Sequence, residues 1–358
     1  MSRRHLLLAG GAWLATTSLG AGAQAVAKGP ADGTAIVEHY ATLPDDPWIV
    51  SHGLRAMGRD FTLKGGRRAV DYLLENVLVS ASVNGRTLVG FPIKVEGHPN
   101  MFLKTMLEAG VPLDHGFTHG GRRLKLQDVV DDARVLLRPH IAVATPNALP
   151  WSVIALTRTT SPLRKQWTNA WGEPVDLDAV VESALQLLEQ ASAPLAQAMR
   201  EGKPVTAQAP IHGYACGGTH MMYALLVAMH AGYGGKDRPA RVQRLVDVTV
   251  WRLGAELDFI ERFYRARGAS AKAAWFELDA KLKYLGHAEE CLAFATRHNA
   301  AKLTAVQRTQ RTAAVATLRR LLEDLEGRNL GEAKALDGEL YRQLVGDTCH
   351  ARHGLVLT

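Results

Sequence analysis

Residues 239–266 read PARVQRLVDVTVWRLGAELDFIERFYRA. Val242, Leu245, Val246, Thr249, Leu253, Leu257, Ile260 and Phe263 recur at intervals of three and four, which lays one apolar stripe along a helix that buries that face. The same spacing runs outward through 178–200, 219–232, 270–298, 304–327 and 331–345, and shorter helices are predicted near 47–59, 67–80, 99–109, 125–137 and 148–158. Asp176 or Asp178 starts the helix that follows, and Gly202 with Pro204 closes it. One segment reads differently. In Ser80–Val89 an Asn84-Gly85 pair stands between β-prone residues, the signal of a two-residue hairpin, expected to extend to Val95. The chain therefore reads as all-α with one small β-hairpin insertion.

At 358 residues, 47% apolar and 22% charged, the sequence has the balance of a folded soluble protein and excludes disordered, collagen-like and polytopic membrane classes. No Pro- or Ser-rich linker divides it. One helical domain over 28–358 is expected, with a possible subdivision near 202–211 between a looped, His-rich half and a long-helix half. Met1 to Ala27 has a basic start, an apolar run and small residues at its end, the pattern of a secretory signal. Ser2-Arg3-Arg4-His5-Leu6-Leu7 fits the twin-arginine consensus, and Ala25-Val26-Ala27 offers a cleavage site. A periplasmic address without stable membrane insertion follows as an expectation. The net charge of +7 becomes +5 once Arg3 and Arg4 leave, and the remaining basic residues are dispersed, which argues against nucleic acid. A small molecule or a polymer remains as substrate.

Three cysteines are too few to frame the fold with disulfides, and fourteen histidines are the richer supply. Five histidines precede glycine, namely His52, His115, His119, His212 and His353, where about one such pair is expected by chance, so a repeated turn chemistry is implied. Each cysteine also has a histidine four positions away: Cys216 with His220, His287 with Cys291, and Cys349 with His353. On a helix that spacing puts both side chains on one face, within reach of a common ion. Only His287/Cys291 lies on a confidently helical stretch; Cys216/His220 spans two glycines, and Cys349/His353 sits in DTCHARHGL, expected to be an irregular tail. The densest stretch, Ile211 to His220, leads into an apolar helix whose N-terminal dipole favours an ionised thiol. Cys216 reads either as metal ligand or nucleophile, or as a small buried residue beside close-packing glycines. The expected zinc ligands are His212, Cys216 and His220, joined by His287 and Cys291, with an open water position. His52, His115 and His119 are candidate bases in a common cleft, and Tyr214 is a candidate to stabilise charge or deliver a proton. A structural reading, in which the histidines cap helices, stands beside this one.

Glycine-led turns bearing His or Cys at the starts of successive helices resemble the inner rim of an α/α toroid, the architecture of terpenoid cyclases, lanthionine cyclases and several polysaccharide lyases. Locally, His212-Gly-Tyr-Ala-Cys216-Gly-Gly-Thr-His220 is similar to the Cys/His-Gly turns that bind zinc in lanthionine cyclases. The likeness covers about ten residues and implies a ligand role for Cys216 and His220; no activity carries over. The fold is then an α/α toroid or an irregular multi-helix domain. The chain lacks G-x-S-x-G, a P-loop, a dinucleotide fingerprint and C-x-x-C-H. The functional expectation is an exported, zinc-dependent enzyme of lyase or hydrolase type. Its alternative is a non-catalytic helical periplasmic binding or scaffold protein.

Overall fold

The computed structural model describes residues 31–357, so the predicted leader 1–27 lies outside the described residues. The chain is all-α: fifteen helices and three two-stranded antiparallel hairpins make up the described residues. Eight helices line or back the site: α1 Pro47–Met57, α2 Met101–Glu108, α3 Leu149–Thr159, α4 Leu177–Glu201, α5 Thr219–His230, α6 Arg238–Arg265, α7 Ala271–Arg297 and α8 Gly338–Leu357, with α4 and α6 packed behind α5. None of the helices among the described residues is long and apolar enough to cross a membrane.

The stripe that identified α6 is its buried face. Val242, Leu245, Val246, Thr249, Leu253 and Ile260 are buried where α6 meets α4, α7 and the helix Ala305–Glu326. Arg252 and Glu256 are buried on the same helix, which an apolar stripe alone does not account for. Helix α4 begins where Asp176 accepts hydrogen bonds from the Asp178 and Ala179 amides, and it ends on Gly202 at φ 64°.

The expected hairpin pairs Val79–Val83 with Arg86–Gly90 through left-handed Asn84 and Gly85, at φ 48° and 76°. It stops at Gly90, short of Val95, because Pro92 has no N–H to extend the ladder and Ile93–Glu96 turns helical. Two further hairpins pair Gly116–His119 with Arg122–Lys125 and Gln166–Thr168 with Pro174–Asp176. In the first of these, Gly120 and Gly121, both left-handed, make the turn.

The tail DTCHARHGL is not irregular: it belongs to α8, whose Leu340, Leu344, Val345 and Cys349 are buried. Helices α7 and α8 touch backbone to backbone. A Cβ on Gly354 would stand 2.7 Å from the Glu290 nitrogen, and one on Gly286 3.2 Å from the Ala351 nitrogen. Only glycine permits that approach. It brings His287 and Glu290 of α7 against Asp347, His350 and His353 of α8, while Gly346 leaves room for Trp48 of α1, whose ring a Cβ there would meet at 2.6 Å.

Candidate metal centre

The segment before α5 is a pair of tight turns, Pro210–Gly213 and Ala215–Gly218. Cys216 (φ 49°), Gly217 (φ 63°) and Gly218 (φ 81°) are left-handed in succession. For cysteine that conformation costs about 1–2 kcal/mol, so the surroundings must hold it. They do so from both sides. Asn147 donates to Gly213 O at 3.0 Å and accepts from the Ala215 amide at 2.8 Å, and the Thr219 hydroxyl donates to Cys216 O at 2.8 Å. A Cβ on Gly218 would stand 2.4 Å from Ile211 Cδ1, so this turn has no room for a side chain there.

The turn delivers the Cys216 sulfur to two imidazoles. Ligand atoms of Cys216, His220 and His287 all lie within 4.8 Å of one another. A tetrahedral zinc ion asks for about 3.3–3.8 Å between such atoms, a separation that lies inside that limit. The imidazoles are prepared for it. One His287 nitrogen, Nε2, faces Asp347 Oδ1 at 3.1 Å, while neither ring nitrogen of His220 is hydrogen-bonded to another described residue. His52 donates from Nδ1 to Trp48 O at 2.7 Å, and His350 from Nδ1 to Glu290 Oε2 at 3.0 Å, which leaves both Nε2 lone pairs free. A carboxylate or carbonyl fixing the tautomer from behind is the usual support of a metal-binding histidine. The four rings are contiguous, with centroids 3.9 Å apart for His287/His350, 4.5 Å for His220/His287 and 5.2 Å for His52/His350.

Electrostatics single out one corner of this cluster. Burial above all pushes His52 down to about 4, and burial with the neighbouring His287 drives His220 and His350 well below the usual histidine range. These three are neutral and able to offer a lone pair. Burial also opposes a charge on His287, yet Cys216 and Asp347 more than offset it and push that imidazole up to about 10. The Cys216 sulfur and the Asp347 carboxylate thus converge on the His287 ring, a place where electron-rich groups could receive a divalent cation. The donor set of one thiolate and two imidazoles suits zinc.

A second trio, His287, Glu290 and His350, also has ligand atoms within 4.8 Å, but its carboxylate is already engaged. Glu290 accepts from Arg55 at 2.6 Å, from His353 at 2.7 Å and from His350. Arg55 also bonds Glu108, which accepts from Lys104 at 2.8 Å. Two cations thus balance two anions. Burial would raise the Glu108 carboxyl, but Arg55 and Lys104 pull it down to about 2. The place for an added cation is therefore beside Cys216.

The cluster forms the floor of a cavity of about 380 Å³. Trp48 and Trp151 form walls; His98 stacks on Trp151 at 3.8 Å, and Arg342 covers Trp48 at 4.8 Å while bonded to Asp46 and Glu339. Lys94 stands at the mouth. A larger, shallower groove of about 830 Å³ between Pro139–Ala144 and the 166–176 hairpin has His140 and Asp176 as its titratable groups and no such cluster.

The structure brings together His52, Cys216, His220 and His287 of the expected site residues. It places the others elsewhere. His212 sits 3.1 Å from both oxygens of Glu256 and stacks on Phe259. Cys291 is buried and donates to Thr219 O at 3.2 Å, with its thiol pushed well above the usual range by burial and then by Glu290. His115 pairs with Asp71 at 2.9 Å and His119 with Ser80 at 3.3 Å, both at the hairpin rather than the cavity, and Tyr214 is half-buried beside the turn, outside the lining. Sequence reading missed Asp347, Glu290 and His350. The signal was present in His287-x-x-Glu290 and Asp347-x-x-His350, spacings that put both members on one helix face. No known protein family, curated protein or solved structure matches the chain.

Proposed function

We propose that this protein is an exported, zinc-dependent enzyme of hydrolase or lyase type, with the ion held by Cys216, His220 and His287. The observation that carries this reading is the trio itself: three ligand atoms of suitable chemistry at the floor of a cavity, with His287 backed by Asp347. Zinc bound there would supply Lewis acidity and lower the pKa of a water in an open position. The chain's own residues do the rest. Asp347 fixes the His287 ring, and Trp48 and Trp151 shape the cavity and exclude water. His52, kept neutral by burial and anchored through Nδ1, presents Nε2 as a base in the same cavity, with the His350 ring between it and His287. The cavity admits a small molecule or the end of a polymer. Export by the twin-arginine route, and the toroid architecture that the turns resemble, belong to the same proposal.

One observation favours a second reading. Cys216 is strained at the foot of α5, with His287 between it and Asp347, the order of a thiol nucleophile, its base and an orienting acid. A single experiment separates the two. Protein exported and purified without a histidine tag is analysed for metal and treated with iodoacetamide. About one zinc per chain, lost in the Cys216→Ala/His220→Ala variant, supports the metal centre. No stoichiometric metal, even after incubation with zinc, combined with rapid labelling of Cys216, overturns it in favour of the thiol.

A further inference from the structure

We infer that Arg252, on α6 and outside the cavity, is the positioning residue that holds Cys216 in its left-handed turn and so sets the geometry of the sulfur. This rests on the reading of Cys216 as the working sulfur of the site, whether ligand or nucleophile.

Arg252 is a buried guanidinium with every contact directed at the turn or at the groups that brace it. Its Nη1 donates to Gly217 O at 2.8 Å, the carbonyl of the residue that follows Cys216. Its Nε donates to Glu256 Oε1 at 2.8 Å, one helical turn along α6, and its plane lies over the Tyr284 ring of α7 at 4.9 Å. Glu256, buried as well, is held in turn by His212 from the start of the same loop. The chain His212, Glu256, Arg252, Gly217 therefore closes a ring that begins and ends in the segment 212–217. The fit is tight: a Cβ on Gly217 would meet Arg252 Nη2 at 3.0 Å. Other anchors act elsewhere in the loop, Asn147 on residues 213 and 215 and Thr219 on the Cys216 carbonyl. The contact from α6 is the one that fixes the left-handed peptide after the sulfur. A planar fork reaching a carbonyl and a carboxylate at once is a task for arginine rather than lysine. It also explains the buried pair Arg252 and Glu256 in the middle of α6, away from Arg238 at its start: a bare core contact has no use for them, whereas a strained turn needs a rigid donor behind it.

The test uses the full chain and three variants. Arg252→Gln/Glu256→Gln removes the clamp without stranding a buried charge, and Arg252→Lys keeps the charge but loses the fork. Arg238→Gln is the structural control. Arg238 is buried on the same helix and pairs with Asp178 and Glu182 of α4, but it does not touch the turn. Zinc affinity is measured by competition with a chromophoric chelator, and the cobalt-substituted protein is followed by its thiolate-to-metal absorption. The expected result is that the double variant and Arg252→Lys bind zinc about 10–100-fold more weakly and weaken the thiolate band, whereas Arg238→Gln leaves both unchanged even where it lowers the thermal midpoint. Affinity and band equal to wild type in the double variant overturn the assignment. Should the wild-type protein bind no zinc, the metal reading falls and iodoacetamide decides. Cys291 and Cys349 are at most 1% exposed, so the label reports Cys216. An alkylation rate slowed about tenfold in the double variant but not in Arg238→Gln keeps Arg252 as the positioning residue of a reactive thiol, because the sulfur has left its place beside His287. An unchanged rate overturns it.

Discussion

Glu290 is the hinge of the buried charge network, and replacing it by glutamine has a consequence that can be worked out in advance. In the native protein its two oxygens accept from Arg55 at 2.6 Å, His353 at 2.7 Å and His350 at 3.0 Å, and its side chain is 2% exposed. Glutamine keeps one acceptor and turns an NH₂ toward donors. The amide carbonyl can keep the bonds from Arg55 and His353, which share one oxygen, so the bond from His350 is lost outright and the other two lose their anionic acceptor; the total is about 3–5 kcal/mol, as is typical of breaking a buried pair from one side. Arg55, whose Nη2 already lacks an acceptor, is left with Glu108 as its one anionic partner. The assay is urea unfolding followed by far-UV circular dichroism and tryptophan fluorescence, with coincident transitions required before a free energy is taken. With a slope of about 3–4 kcal/mol per molar for a chain of this size, the midpoint of Glu290→Gln falls by about 1 M. The companion Arg55→Met/Glu290→Gln removes both charges, and it loses at least about 2 kcal/mol less than the sum of the single variants. A midpoint shift below about 0.3 M, or strict additivity in the cycle, refutes the view that this network is a coupled unit.

Four further substitutions have outcomes set by their surroundings in the fold. Burial pushes Glu96 up to about 8 although the Asn100 and Phe102 amides donate to it. Its folded value thus lies above its unfolded one, so its contribution is full below about pH 4.5 and is lost as the pH rises toward 8. Relative to wild type, Glu96→Gln therefore gains on the order of 4 kcal/mol across that window, read from unfolding midpoints at pH 4.5 and 8.5. A Gly354→Ala change forces a methyl against the Glu290 backbone, so overpacking of about 1–3 kcal/mol outweighs a helix-propensity gain of about 1 kcal/mol and the thermal midpoint drops. Gly254→Ala in α6 faces open space and raises the midpoint instead, by the equivalent of about 0.5–1 kcal/mol. Asp347→Asn weakens zinc binding about 10–100-fold in a chelator competition, since it frees the His287 ring from its support.

How far the sequence carried this far is clearest at individual residues. The α6 stripe and the Asn84-Gly85 turn were legible because periodicity and turn chemistry are local. The His-Gly pairs were a real pattern with more than one cause. Gly120 makes a hairpin turn, but Gly53 and Gly354 lie within helices and admit a neighbour, a Cβ on Gly53 meeting Phe61 at 2.5 Å. The spacing of four between cysteine and histidine picked out the stretch that holds the cluster without fixing how its members meet: Cys216 and His220 meet through a left-handed turn, and Cys291 and His287, one helical turn apart, face different partners. Asp347, Glu290 and His350 were hidden because their meeting is a long-range event, set by two glycines 68 positions apart in a contact that neither helix announces alone.

The closeness of α7 and α8 also has a bearing on when the site comes into being. Helix α8 is synthesised after every other helix of the cluster, and it alone brings Asp347, His350 and His353. Until it docks, His287 has no carboxylate behind it and Glu290 lacks two of its three donors. A growing chain can complete α1 through α7, with Cys216, His220 and His287 all in place, and still lack the carboxylate that supports His287. The cavity floor is therefore complete only once α8 has docked on α7, after all three proposed ligands have been made.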